Sequence, residues 1–413
     1  MTTPRILLLL TAHTYRADAF LAAGERLGIE ITTAVNMPKT LADEYGVTLG
    51  LDYDDLETAV ATIVEYAQTH SLNAILAVDD SGTLLAANAA NALNLPHNDP
   101  AAALAARDKL VMRTMLQAGG VRVPQFHHFT LADDPEEIAA QVSFPCVVKP
   151  LTLSGSRGVI RANDGEALAA AIARLRRVLR KLSPEPNQPF LVEDYIPGVE
   201  VALEGMLDKG KLHLLALFDK PDPLVGPFFE ETIYVTPSRL PQAVQQAILE
   251  TTMEAAQALG LRTGPVHAEL RVNEAGAWLV EAAGRSIGGL CSQTLRFGVD
   301  ASLEELILHQ AAGLGLGDTA RQKQASGVMM IPIPAGGLLR GFSGVAQAEA
   351  VDLIESVEIT APLNNTVTPL PEGESYLGFI FARGETAVAV EAALREAHEQ
   401  LHFEITPVIA LSF

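Results

Sequence analysis

Over roughly the first hundred residues, short apolar blocks alternate with amphipathic stretches. Residues 6–10 (ILLLL) form an unbroken apolar run of strand length, the pattern of a strand covered on both faces. Residues 18–27 then space their apolar positions at helical intervals, and residues 29–34 return to strand character. Helical patterning recurs over 56–69, a strand over 74–78 and a helix over 83–93. This alternation predicts a doubly wound α/β domain over residues 1–98. Ligands of such sheets gather beyond the carboxyl ends of the strands, so TAHTY (11–15) and DDSG (79–82) are candidate walls of a site.

Asp99 followed by Pro100 has the form of a helix N-cap and first turn, with the helix running to Leu116 and Gly119-Gly120 stopping it. The pattern then changes. Strands are predicted at 144–150, 158–162, 190–196, 201–207 and 211–218, with a long helix at 165–182 and a polar, proline-containing loop at 183–189. A helix at 241–259 leads into an alternating stretch, another helix covers 302–312, and from about 328 strands, turns and a last helix (387–400) predict a smaller α+β region.

The alternating stretch, 264–285, reads as a hairpin. Val266, Leu270, Val272, Trp278 and Val280 fall on the even face; His267, Glu269, Arg271 and Glu281 fall on the odd face, with Leu279 the exception. A turn centred on Ala275 sets Glu269 opposite Glu281, with Cβ atoms about 4.5–5.5 Å apart. Facing water, the two acids would repel modestly. A divalent cation between them would remove that repulsion, and Mg²⁺ needs only one or two carboxylates when phosphates complete its shell.

Composition narrows the partners. With 29 Lys plus Arg against 50 Asp plus Glu, the net charge of −21 disfavours nucleic acid and anionic membrane, so an anionic ligand must meet local positive groups. No apolar run approaches the roughly 20 residues that span a bilayer, and the N-terminal run reads as a strand and not a signal segment. Cys146 and Cys291 stand far apart without metal-site spacing, which suits a reducing cytoplasm.

Only eight lysines occur, yet Lys149 ends a buried strand in CVVKP. After it comes LTLSGSRGV, a small-residue loop whose N–H groups suit phosphate oxygens. The P-loop and dinucleotide-binding glycine patterns are absent. Lys109 begins an amphipathic stretch, and Glu193 and Glu200 flank a Pro-Gly turn.

In this order (Lys109, Lys149, the SGSRG loop, Glu193, Glu200, Glu269, Glu281, Arg285) the chain resembles the ATP-grasp superfamily over roughly residues 1–310. The resemblance implies a pre-ATP-grasp domain (1–98), an ATP-grasp domain (99–320) clamping ATP between a small lid lobe (about 122–195) and a large lobe (about 196–320), and a C-terminal α+β subdomain (321–413). By matched position, Lys109 and Lys149 would contact ATP phosphates and the loop bearing Ser154, Gly155, Ser156 and Gly158 would cover them. Glu193 would accept from adenine beside the hinge backbone of Asp194, Tyr195 and Ile196, Glu200 would hold ribose, and Glu269 and Glu281 would bind Mg²⁺, with Mn²⁺ as a substitute. Where many members carry an asparagine metal ligand, Ala283 stands here.

HAE…VEAAGR is similar to the L-amino acid ligase branch, the bacilysin-type dipeptide synthetases, in which the arginine matching Arg285 serves the acyl phosphate and incoming amine. His267 shares the acids' face and is a further catalytic candidate; Lys220, Glu230, Glu231 and Arg157 are candidates to line the amine pocket or lid. The implied activity is carboxylate–amine ligation through an acyl phosphate, on small-molecule carboxylates and amines that include amino acids, in a cytoplasmic homodimer. Two alternatives stand beside it: a biotin-carboxylase-like enzyme activating bicarbonate, and a non-catalytic ATP-binding protein.

Overall fold

The computed structural model describes residues 3–183, 185–373 and 375–407. Its first strand, Arg5–Thr11, is buried from Ile6 to Leu10 and lies between parallel neighbours Glu30–Asn36 and Ala74–Ala77. A short strand not anticipated from the pattern, Leu49–Leu51, completes the four-stranded sheet outside Glu30–Asn36. Helices Ala17–Leu27, Leu56–Thr69 and Asp80–Ala92 pack about it, giving the expected doubly wound domain.

The expected single helix from Asp99 to Leu116 is two helices, Pro100–Ala105 and Lys109–Ala118. Asp108 causes the break: its carboxylate accepts from the N–H groups of Leu110 and Val111 at 2.8 and 3.0 Å and so starts a second helix. Lys109 therefore stands at a helix start, where the backbone fixes its position.

The lid lobe is an antiparallel sheet in the order Phe126–Thr130, Pro189–Asp194, Cys146–Pro150, Ile160–Ala162. Helix Gly165–Leu182 covers it. Asp164 caps this helix through the Ala167 N–H, and Leu168, Ala171, Ile172, Leu175, Val178 and Leu179 recur at helical spacing on its buried face. Residues 195–198 lead from this sheet into the large lobe. There Gly198 adopts φ +128°, and an added Cβ would meet the Val272 carbonyl oxygen at 2.2 Å, so only glycine fits.

The large lobe and the C-terminal region share one eight-stranded sheet. Hairpin strands Gly264–Asn273 and Gly276–Ala283 form one edge, followed by Val199–Asp208, Lys211–Asp219 and Ile233–Thr236. Strands Ala325–Ile331, Gly378–Gly384 and Ile354–Ile359 continue the same sheet across the boundary expected at residue 320. A smaller sheet of Gly337–Ser343, Thr366–Val367 and His402–Thr406 lies apart.

The hairpin corrects the expected phase while keeping the expected pair. Its turn falls between Glu274 and Ala275, since Asn273 pairs with Gly276 and Leu270 with Leu279. A bulge then shifts the register by one, and Glu269 pairs with Glu281. Leu279, paired with Leu270 before the bulge, lies in the core beside it, while the bulge leaves Val280 to line the cleft. Replacing Asp108 by Ala should lower stability by about 0.5–2 kcal/mol, measured by urea denaturation; an unchanged midpoint would show that the second helix does not depend on that cap.

Candidate active site

A cavity of about 590 Å³ opens where the N-terminal domain, lid lobe, hairpin and C-terminal region meet. Every expected site residue lines it except Gly158: Lys109, Lys149, Ser154, Gly155, Ser156, Glu193, Asp194, Tyr195, Ile196, Glu200, His267, Glu269, Glu281 and Arg285 are all present. The two anticipated loops, Thr11–Tyr15 and Asp79–Ser81, also contribute wall, as does Glu231.

Two lysines approach from different elements. Lys109 Nζ donates to the Leu153 carbonyl at 2.8 Å and lies 3.6 Å from Glu281 Oε1. Lys149 Nζ lies 2.6 Å from Glu193 Oε2, and burial together with Arg113 and Lys109 lowers its pKa despite that partner. Between them the phosphate-suited loop takes left-handed backbone at Gly155, Ser156 and Gly158. Gly158 N–H donates to the Pro371 carbonyl at 2.8 Å, so the C-terminal region holds the loop's far end. Arg174 on the lid helix pairs with the neighbouring Glu372 through two bonds of 2.6 and 2.8 Å.

Glu193 is paired with two cations at the cavity wall. Only 2% exposed, it takes Arg113 through two bonds of 2.7 and 3.2 Å and Lys149 on its second oxygen. Burial alone would raise its pKa, but Arg113 and Lys149 outweigh burial and bring it to about 2. Glu200 is likewise engaged on both oxygens, by Lys220 at 2.9 Å and Arg271 at 2.7 Å. In the hinge, Asp194 N–H donates to Gln125, Tyr195 N–H to Pro145, and the Ile196 carbonyl accepts from Arg271 at 2.8 Å. Tyr195 is covered by the Arg161 guanidinium, 4.0 Å from its ring centre.

The paired acids are more loosely engaged. Glu269 lies 3.5 Å from both Lys220 and His267, and Glu281 lies 3.6 Å from Lys109. Their side chains, about 21 and 32% exposed, face the cavity, so as a hard-oxygen donor set with spare lone pairs they fit a magnesium ion. A second carboxylate group, Glu200, Glu231 and Glu269, can bring oxygens within 4.8 Å of one another. There the Lys220 ammonium already contacts all three acids, which hold it charged well above its ordinary range against the effect of burial. Burial and Glu269 raise the Glu231 carboxyl to about 6.

His267 bridges two acids, with Nδ1 3.1 Å from Glu204 and Nε2 3.5 Å from Glu269. Burial opposes its charge, but these partners prevail and raise its pKa to about 9. Arg285 does not point at the paired acids alone. It closes on Asp80 of the N-terminal domain through two bonds of 2.6 and 2.7 Å, which raises its own pKa and lowers that of Asp80. Ala283 lines the cavity and offers no ligand. Arg113 and Glu204 were not anticipated, nor were the pairings of Arg271 with Glu200 and of Asp80 with Arg285. Glu204 carried a signal, being a lone acid inside the apolar strand VALEGML; Arg113 sits one turn after Lys109 on the same helix face.

Residues 142–294 match the ATP-grasp domain family, 329–406 the L-amino acid ligase C-terminal domain 2 family and 21–97 the ATP-grasp N-terminal domain family. The chain is 28% identical over 265 residues to an alanine–anticapsin ligase of Bacillus amyloliquefaciens, covering 59% of this chain and 55% of that protein. It is 26% identical over 277 residues to the dapdiamide A synthase of Enterobacter agglomerans, covering 65% of this chain and 64% of that one. The matched stretches thus span less than two thirds of these relatives' own lengths. The L-amino acid ligase structure from Bacillus licheniformis superposes with a TM-score of 0.82 at 24% identity, over 98% of this chain and 100% of that one, which is a likeness of fold.

Replacing Arg113 by Met leaves Glu193 with one cation in a dry site and should cost about 3–5 kcal/mol at neutral pH, measured by urea denaturation. Because folding depresses the Glu193 pKa from 4.5 to about 2, its ion-pair stabilisation is complete above pH 4.5 and is lost as pH falls through 2. The Arg113→Met penalty should therefore shrink across that window; a penalty constant from pH 7 to pH 3 would show that Glu193 is not its source.

Proposed function

From the premise that this chain is an ATP-grasp protein carrying an L-amino acid ligase C-terminal domain, we propose that it is an ATP-dependent carboxylate–amine ligase. The observation that carries this reading is the convergence of Lys109, Lys149, Glu269, Glu281 and Arg285 on one cavity, from three separate stretches of chain.

The chemistry demands charge handling. A substrate carboxylate oxygen must attack the γ-phosphorus of ATP, both partners being anionic, and the bond to ADP must break. An amine nitrogen then attacks the acyl carbon, the bond to phosphate breaks, and the nitrogen gives up a proton. Lys109 and Lys149 bring positive charge to the phosphate side, and the Ser154–Ser156 loop supplies a backbone cover. Glu269 and Glu281 would hold magnesium, which supplies further neutralisation of the phosphates. His267, charged between Glu204 and Glu269, fixes the direction of the Glu269 carboxylate. Arg285 is fixed in direction by Asp80, which supports an orienting role toward the acyl phosphate.

Water must be kept from an acyl phosphate. The phosphate-facing loop is tied to the C-terminal region through Gly158 and Pro371, and the lid helix through Arg174 and Glu372, which supports a lid closed by contacts at both its edges. Specificity for one amine or one acid rests on the walls of the same cavity.

Substrate-dependent ADP release should be abolished in Glu281→Gln and in Lys149→Ala, read in a coupled assay with ATP, magnesium and paired amino acids, followed by mass analysis of the amide. Near-normal turnover in either variant would overturn the assignment. Glu372→Gln should loosen the lid, raising amide exchange in residues 154–158 and the hydrolysis of ATP uncoupled from amide formation; unchanged exchange would show that the ion pair does not hold the lid.

A further inference from the structure

Two guanidiniums line the cavity where the N-terminal domain meets the end of the hairpin, and they differ in one respect. Arg285 is closed by the Asp80 carboxylate. Arg16, only 4% exposed, has no carboxylate partner among the described residues. Its Nη1 donates to the Val78 carbonyl at 2.5 Å and its Nη2 to the Ser286 hydroxyl at 2.6 Å, and its buried Nε has no hydrogen-bond partner among the described residues. Neutral acceptors fix the orientation of the group without cancelling its charge. A buried cation left uncompensated is costly to keep, and at the wall of a substrate cavity it is matched to an anion that arrives from outside.

The surroundings describe that anion further. Arg16 acts electrostatically on Tyr15 and Cys291, against the burial that raises both groups. Tyr15, Ile287, Cys291, Met330 and Tyr376 line the same cavity, with Asp79 acting electrostatically on Tyr15 and Glu231 on Cys291 and Tyr376. Tyr15 meets Phe379 edge-on at 5.7 Å, and Phe379 lies 6.2 Å from Tyr376. This is a fixed positive charge beside an aromatic and aliphatic wall.

We propose that Arg16 receives the free carboxylate of the amine substrate, so that the acceptor is an amino acid whose apolar side chain lies against the Tyr15–Tyr376 wall. This rests on the ligase reading above. The reacting carboxylate is the poorer match for Arg16, because it loses its charge on becoming an acyl phosphate. The acceptor's carboxylate keeps its charge from binding to product release, and a guanidinium held permanently charged suits a permanent anion.

The test compares each member of a panel of apolar amino acids with its own carboxamide as acceptor, in the full chain with ATP, magnesium and a fixed donor acid. The wild-type protein should prefer leucine over leucinamide by about 10- to 100-fold in kcat/KM, the worth of a charge-assisted hydrogen bond. In Arg16→Met the KM for leucine should rise by a similar factor, while those for leucinamide and ATP stay within about twofold, and Arg16→Lys should recover part of the preference. Equal use of acid and amide by the wild type overturns the Arg16 assignment and leaves the ligase reading intact, whatever the variants do. Absence of phosphate release with every pair, in protein that still binds ATP, removes the ligase reading and this assignment with it.

Discussion

Charge compensation inside a dry cleft is the constraint on which the rest of this structure depends. A chain with a net charge of −21 concentrates buried cations in one place, and nearly all are held by acids of the protein itself. Arg113 and Lys149 share Glu193; Lys220 and Arg271 share Glu200; Arg285 is answered by Asp80. Each pair would be expensive to break in the absence of water. The groups outside this accounting are Glu269 and Glu281, whose contacts are longer, and Arg16, which has no carboxylate partner among the described residues.

The same pairs connect the parts of the fold. Arg113 and Glu193 join the entry helix to the lid sheet, Arg271 reaches from the hairpin to the hinge at Ile196, and Arg285 crosses to the N-terminal domain. The C-terminal strands extend the large-lobe sheet, and residues 371–372 reach back to the lid. Four stretches far apart in sequence are thus held around one cavity by the electrostatics that also shape its interior.

Backbone irregularity completes the site. A regular two-residue hairpin would set Glu269 beside residue 280; one bulge moves it opposite Glu281, while Leu279 is already paired with Leu270 in the core before the bulge. The unpaired residue, Val280, becomes part of the cleft. The second helix start at Asp108 does comparable work for Lys109.

Period and order were readable from the chain alone. The ILLLL strand and the helical spacing at 165–182 led to the α/β and α+β architecture, because burial and periodicity act locally, while the residues expected at the cavity came from the resemblance carried by the ordered lysines, acids and Arg285. The partners were not readable. Nothing in the sequence near Glu193 or Glu200 says that their oxygens face Arg113, Lys149, Lys220 and Arg271, or that Arg16 lacks an acid, since these contacts join residues 20 to 270 positions apart. Tertiary structure decided them: the identity of a buried charge's counterion depends on which surfaces packing brings together, and one bulge or one shared strand is enough to change it.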